Sequence, residues 1–173
     1  MKLCTSNCGE PISRSFLERM RFLGNIEAKV DAKGRVFFPA AFRKVLGASG
    51  CESLVMRKDV FQQCLVIYPE AVWNDEMDAL RRRLNRWNRE HQQIYRQFVS
   101  DVEVLTLDGS GRLLIPRRYL KMASIDQDVR FIGMGDTVEI WSGAACEHPF
   151  MEAGQFGKAL EQIMGTGQEE AER

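Results

Sequence analysis

Asp31-Ala32-Lys33-Gly34-Arg35-Val36-Phe37-Phe38-Pro39-Ala40-Ala41-Phe42-Arg43-Lys44-Val45-Leu46 has a second, altered copy in the same chain. Asp108-Gly109-Ser110-Gly111-Arg112-Leu113-Leu114-Ile115-Pro116-Arg117-Arg118-Tyr119-Leu120-Lys121 lies 77 residues further on and keeps the aspartate, glycine, arginine, proline and an aromatic in place. In each copy a β-prone run ends at the aspartate and another begins at the arginine, which predicts strand, tight turn, strand. Gly34 and Gly111 supply the positive φ that such a turn needs, and an aspartate bonds its own backbone two residues on. Pro39 and Pro116 then close the second strand, since proline donates nothing to a ladder and suits a helix start. A short helix is expected after each.

The chain of 173 residues is 45% hydrophobic and 28% charged, ordinary for a globular protein. That length buries one substantial core or two small halves fused into one, and the repeat favours one duplicated domain. No apolar run approaches the ~18 to 20 residues of a membrane span, and residues 1–19 lack the apolar centre of an export signal. The expected compartment is the cytoplasm. Five cysteines, Cys4, Cys8, Cys51, Cys64 and Cys146, are odd in number and read as reduced thiols. Cys4 and Cys8 would make half a metal site, but no second pair completes it, so no metal is assigned.

Formal net charge is zero, yet its distribution is uneven. Lys29, Lys33, Arg35, Arg43 and Lys44 face Asp31 alone in the first signature; Arg112, Arg117, Arg118 and Lys121 face Asp108 in the second. Glu147, Glu152, Glu161, Glu169, Glu170 and Glu172 compensate near the end, against Lys158 and Arg173. Positive charge concentrates on the repeated turns.

With Met20-Arg21-Phe22-Leu23-Gly24 before it and the duplicated Asp-x-x-Gly-Arg within it, the stretch from about residue 20 to 165 resembles the MraZ family of bacterial transcriptional regulators. The resemblance implies a mainly β fold with flanking helices, in which two tandem repeats form one pseudo-two-fold double-split β-barrel. That barrel group includes the AbrB regulators and the MazE antitoxins, which build it from two chains. The resemblance further implies a ring-shaped homo-oligomer and, as its partner, double-stranded DNA carrying promoter repeats upstream of the division and cell-wall gene cluster. It implies nucleoid association in the cytoplasm, with no cofactor, membrane or small-molecule substrate.

Taken in order, residues 1–19 have no counterpart in the second repeat and read as a disordered arm or an upstream start. Residues 20–98 form the first repeat, 99–165 the second, and 166–173 an acidic disordered tail. Ile26, Ala28 and Val30 alternate with Glu27 and Lys29 as a half-buried strand. Ala40 to Leu46 is expected as a helix capped by Gly47. Leu54–Arg57 and Cys64–Tyr68 read as strands, with counterparts at Arg130–Ile132 and Val138–Trp141. The loop from Asp59 to Cys64 is expected to be about four residues longer than its counterpart near Asp136. After Pro69, Met77, Leu80, Leu84, Trp87, Ile94 and Phe98 form a seam broken by His91, predicting one long helix. Phe150, Phe156, Leu160 and Ile163 predict a shorter one, and the two helices are expected to lie together beside the β core.

Arg35 and Arg112 are the leading candidates for reading DNA, because the planar guanidinium fork bonds guanine O6 and N7 together. A structural ion pair with Asp31 or Asp108 is the competing role, and the two can coexist. Lys33, inside the first turn and replaced by Ser110 in the second, suits a phosphate contact or a solvated turn. Lys29 and Arg43 complete the candidate DNA-contacting set, while Asp31, Gly34, Asp108 and Gly111 are assigned to turn structure. Arg81, Arg82, Arg83, Arg86 and Arg89 could be read as a second nucleic-acid site, but Glu76, Asp78 and Glu90 lie within helical pairing distance and ion pairs on a solvated face are the expected role. His91 and His148 each follow a glutamate and fall in no catalytic spacing, and no glycine loop cradles phosphate, so no catalytic residue and no enzyme are assigned. The rival reading is a protein-binding ring or antitoxin-like module without specific DNA affinity.

Overall fold

The computed structural model describes residues 21–51, 53–145 and 149–165. The readings made for residues 1–19, Cys4, Cys8, Met20, Cys146, His148 and the 166–173 tail lie outside them. The first half contributes β1 (Asn25–Lys29), β2 (Arg35–Phe37), α1 (Ala40–Ser49), β3 (Ser53–Lys58), β4 (Leu65–Pro69), α2 (Glu70–Arg83) and α3 (Arg89–Ser100). The second contributes β5 (Val102–Thr106), β6 (Arg112–Leu114), α4 (Arg117–Met122), β7 (Asp128–Gly133), β8 (Val138–Ser142) and α5 (Ala153–Gly165).

The strands form a six-stranded antiparallel sheet in the order β1-β7-β8-β4-β3-β5 and a two-stranded ribbon, β2-β6. That order is symmetric about the β8–β4 pair. Each half gives its first strand to the other half's third: Ala28 pairs with Val129, and Val55 with Val104. Neither half completes a sheet alone, as expected for units of this size. Val36 and Leu113, the central pair of the ribbon, turn inward into one core with Phe38, Phe42, Phe131, Ile140 and Tyr119. Phe38 meets Phe42 and Phe131 edge to face at 5.8 and 5.7 Å, the arrangement that ring quadrupoles favour.

Several sequence expectations are corrected. The helix α1 runs on to Ser49 and is capped by Gly50 at φ 65°, not by Gly47, because Ser49 Oγ bonds the Leu46 carbonyl and Gly50 supplies the left-handed residue. The β3–β4 loop, residues 59–64, exceeds its counterpart, residues 134–137, by two residues rather than four.

The predicted long helix is a hairpin. Leu84 is extended, and Asn88 caps α3 by accepting from the Glu90 and His91 amides at 2.9 and 3.2 Å. Asn85 accepts from Trp87 N–H, while its own N–H donates to His91 Nδ1 at 2.9 Å. These side chains offer the backbone partners that a continuous helix would otherwise provide, and apolar periodicity carries no sign of it. Trp87 consequently leaves the seam and is 95% exposed. Trp73 and Phe98 stack 5.1 Å apart and hold the hairpin together, with the Arg57 guanidinium 4.3 Å over Phe98. The helix α5 has no buried residue, and Phe156 and Leu160 remain exposed, so it does not complete the core beside that hairpin.

Candidate nucleic-acid interface

The two turns are built by the same bonds. Asp31 Oδ1 accepts the Lys33 and Arg35 amides at 2.9 and 3.0 Å, and its Oδ2 accepts Arg35 Nε at 2.7 Å. Asp108 Oδ1 accepts Ser110 and Arg112 amides at the same two lengths, and Oδ2 accepts Arg112 Nε at 2.8 Å. Gly34 and Gly111 turn the chain at φ 85° and 77°, each donating its N–H to the aspartate carbonyl at 2.9 Å. The Arg35 amide and guanidinium hold the Asp31 carboxyl down at about 2. The Arg112 amide lowers Asp108 in the same direction. The ion-pair role is therefore present at both arginines. Nη1 of each guanidinium makes no hydrogen bond among the described residues, so the clamp orients the fork without consuming it.

Pairing of β2 with β6 sets Arg35 opposite Leu114 and Phe37 opposite Arg112. Because side chains alternate across a strand, all four share the outer face while Val36 and Leu113 face the core. Phe37 and Leu114 are 59% and 56% exposed, and the Arg112 guanidinium lies 5.8 Å from the Phe37 ring. Two arginines on one diagonal and two apolar side chains on the other make a surface that no single repeat contains. The sequence reading missed Phe37 and Leu114, since only the cross-strand register brings them beside the arginines.

The halves also lock reciprocally. Phe38 N–H donates to the Gly111 carbonyl at 3.0 Å and Ile115 N–H to the Gly34 carbonyl at 2.8 Å. Arg117 reaches the first turn, donating from Nη2 to the Ala32 carbonyl at 3.3 Å, a brace that the sequence did not indicate.

Of the five basic candidates, Arg35, Arg112 and Lys33 belong to the ribbon and its first turn, with Lys33 exposed. Lys29 lies on β1, 3.5 Å from Asp128, beside the Arg130–Glu27 pair in a concavity of about 450 Å³. Arg43 donates from Nε to the Phe38 carbonyl at 3.0 Å and lays its guanidinium over Gly111. Arg118 pairs with Glu103 at 2.8 Å. Among the described residues no three metal-ligating side chains converge, and no helix is long and apolar enough to cross a membrane.

Residues 21–97 and 98–155 each match the family model described as "MraZ protein, putative antitoxin-like". A protein named transcriptional regulator MraZ from Phocaeicola vulgatus is 66% identical over 147 residues, covering 85% of this chain and 96% of that one. Its namesake from Bacteroides fragilis is 62% identical over 145 residues, covering 84% and 92%. The namesake from Flavobacterium psychrophilum is 34% identical over 145 residues, covering 83% and 92%. With both turns matched and nearly the full length of these relatives covered, the chain belongs to the MraZ family.

Proposed function

We propose that this chain is a sequence-specific, double-stranded-DNA-binding transcriptional regulator whose β2–β6 ribbon enters the major groove. The observation that carries it is the pair of aspartate-clamped arginines on one outer ribbon face. A major groove admits a two-stranded ribbon, and diagonal cross-strand neighbours lie ~7 to 8 Å apart, about two base-pair rises. Each arginine fork then addresses a guanine, and the apolar Phe37 and Leu114 suit thymine methyl groups beside them. Lys33 adds a phosphate contact, while Asp31, Gly34, Asp108 and Gly111 hold the turns. Lys29 and Arg43 contribute charge nearby.

The reading extends to what the family resemblance implies. The two sheets close as a double-split β-barrel, and the protomers assemble into a ring. The ring acts in the cytoplasm, at the nucleoid, on repeats before the division and cell-wall gene cluster. A neutral protomer with few basic contacts binds one box weakly, and linking several contacts raises affinity by roughly two to four powers of ten. The exposed apolar side chains of α5 support such subunit contact, and they also favour the rival reading of a protein-binding module.

The test is binding of the purified protein to duplex from the promoter of its own gene and to shuffled duplex across a salt series. Arg35→Ala and Arg112→Ala should each lose ~1 to 3 kcal/mol of discrimination at one base step. Folded variants that discriminate as well as the parent would move both arginines to a purely structural role and favour the protein-binding module.

A further inference from the structure

Outside the helical hairpin, Arg43, Arg57 and Arg117 are held by backbone carbonyls and four further arginines by carboxylates. Arg35, Arg112, Arg118 and Arg130 each meet a carboxylate within 2.8 Å. Residues 81–99 hold six arginines, Arg81, Arg82, Arg83, Arg86, Arg89 and Arg96, and one carboxylate, Glu90. Among the described residues none of the six guanidiniums lies within 4.0 Å of a carboxylate, so the expected pairs with Glu76, Asp78 and Glu90 do not form. Helix electrostatics explains only part of this. Arg81, Arg82 and Arg83 occupy the last turn of α2, where the macrodipole welcomes cations. Arg89 opens α3, where the dipole disfavours them, and Arg86 stands in the corner between the helices.

Between α2 and α3 is an open concavity of about 420 Å³ lined by Arg81, Arg86, Gln92, Tyr95, Arg96 and Val99. Three arginines line it and no aspartate or glutamate does. Arg81 is held by its stack on the Tyr95 ring, 4.7 Å away, and Gln92 is fixed by its bond to the Arg86 carbonyl at 2.6 Å. Three arginines without a carboxylate among them suit a phosphate backbone, which needs no anchor pocket. Arginine forks also match phosphate geometry two bonds at a time.

We infer that the α2–α3 hairpin is a second DNA surface, binding the phosphate backbone of a duplex without regard to sequence through Arg81, Arg86 and Arg96. The eight Cα steps from Ser100 to Asp108 span at most ~29 Å, about eight base pairs, which bounds the distance from the second turn to the end of α3. This surface is independent of base reading at the ribbon, and the two are separable by experiment.

The probe is a 30-base-pair random-sequence duplex, with binding followed by fluorescence anisotropy across a salt series. The triple variant R81Q/R86Q/R96Q should lower the slope of log K against log salt by about 2 to 3, at ~0.9 per phosphate contact. Its preference for promoter over random duplex should stay unchanged, and the charge-keeping triple R81K/R86K/R96K should recover the slope. An unchanged slope in a folded R81Q/R86Q/R96Q protein overturns the inference. So does loss of binding in the lysine triple, which would mark a packing role, or capture of poly-glutamate in place of duplex. Loss of the promoter preference in the parent protein strikes the ribbon reading alone.

Discussion

The two turns share every bond from aspartate to arginine and differ in what covers them. Over Gly34 sits the backbone carbonyl of Ile115, with a Leu120 methyl beyond it; over Gly111 the nearest atoms are those of the Arg43 side chain. Lys33 occupies the first turn where Ser110 occupies the second. Duplication has kept the clamp that aims an arginine and released its surroundings. The ribbon is thus symmetric in its forks and asymmetric in rigidity and charge.

The largest effect should come from adding a methyl group to each turn. In Gly34→Ala the new Cβ would stand 2.6 Å from the Ile115 carbonyl oxygen at φ 85°, and that oxygen cannot yield without breaking the ribbon. A left-handed alanine costs ~1 to 2 kcal/mol and the clash adds ~1 to 3. In Gly111→Ala the Cβ meets the far end of Arg43, which can swing aside, so the cost should stay at ~1 to 2 kcal/mol. Urea unfolding of both proteins measures the difference; equal losses would break the asymmetry. Lys33→Ser, which copies the second turn into the first, should weaken all duplexes alike and reduce the salt slope by ~1. A change in base preference instead would make Lys33 a reader of sequence.

The smallest effect, and the sharpest test of the shared clamp, is the titration of the two aspartates. Both folded-state values lie below the ordinary 3.8, Asp31 at about 2. Their contribution to stability is therefore complete above the unfolded value. For Asp31 it fades as pH falls through about 2. Carboxyl carbon NMR should find Asp31 titrating well below the usual range in the parent and higher, but still below that range, in Arg35→Ala, where the residue 33 and 35 amides go on donating to Oδ1. An ordinary value in the parent would mean that the clamp is open in solution.

Much of this fold is legible in the chain, because the duplicated Asp-x-x-Gly-Arg writes its turn in local chemistry. Gly at positive φ, Asp bonding its own backbone and Pro at the strand end need no distant partner to be recognised. The break at Asn85 and Asn88 was not read, since amide side chains competing with a helix leave the apolar spacing around them intact. Solitary arginines were equally hidden. Glu76 and Asp78 stand at helical pairing distance in sequence, yet exposed pairs gain too little, ~0 to 1 kcal/mol, for spacing to dictate them. Phe37 and Leu114 became candidates only through register, which belongs to the pairing of two halves.

The exchange of first strands also governs when this protein can begin to exist. Glu27 on β1 bonds Arg130, 103 positions further along. A ribosome that has finished the first repeat has made β1 and β3 with neither cross-repeat neighbour available, because β7 and β5 come later. The nascent chain must carry the β3 edge until β5 has emerged and the β1 edge until β7, which ends at Gly133, has followed. Closure joins both halves, so Arg35 and Arg112 are set side by side only once both strands of the ribbon have been made.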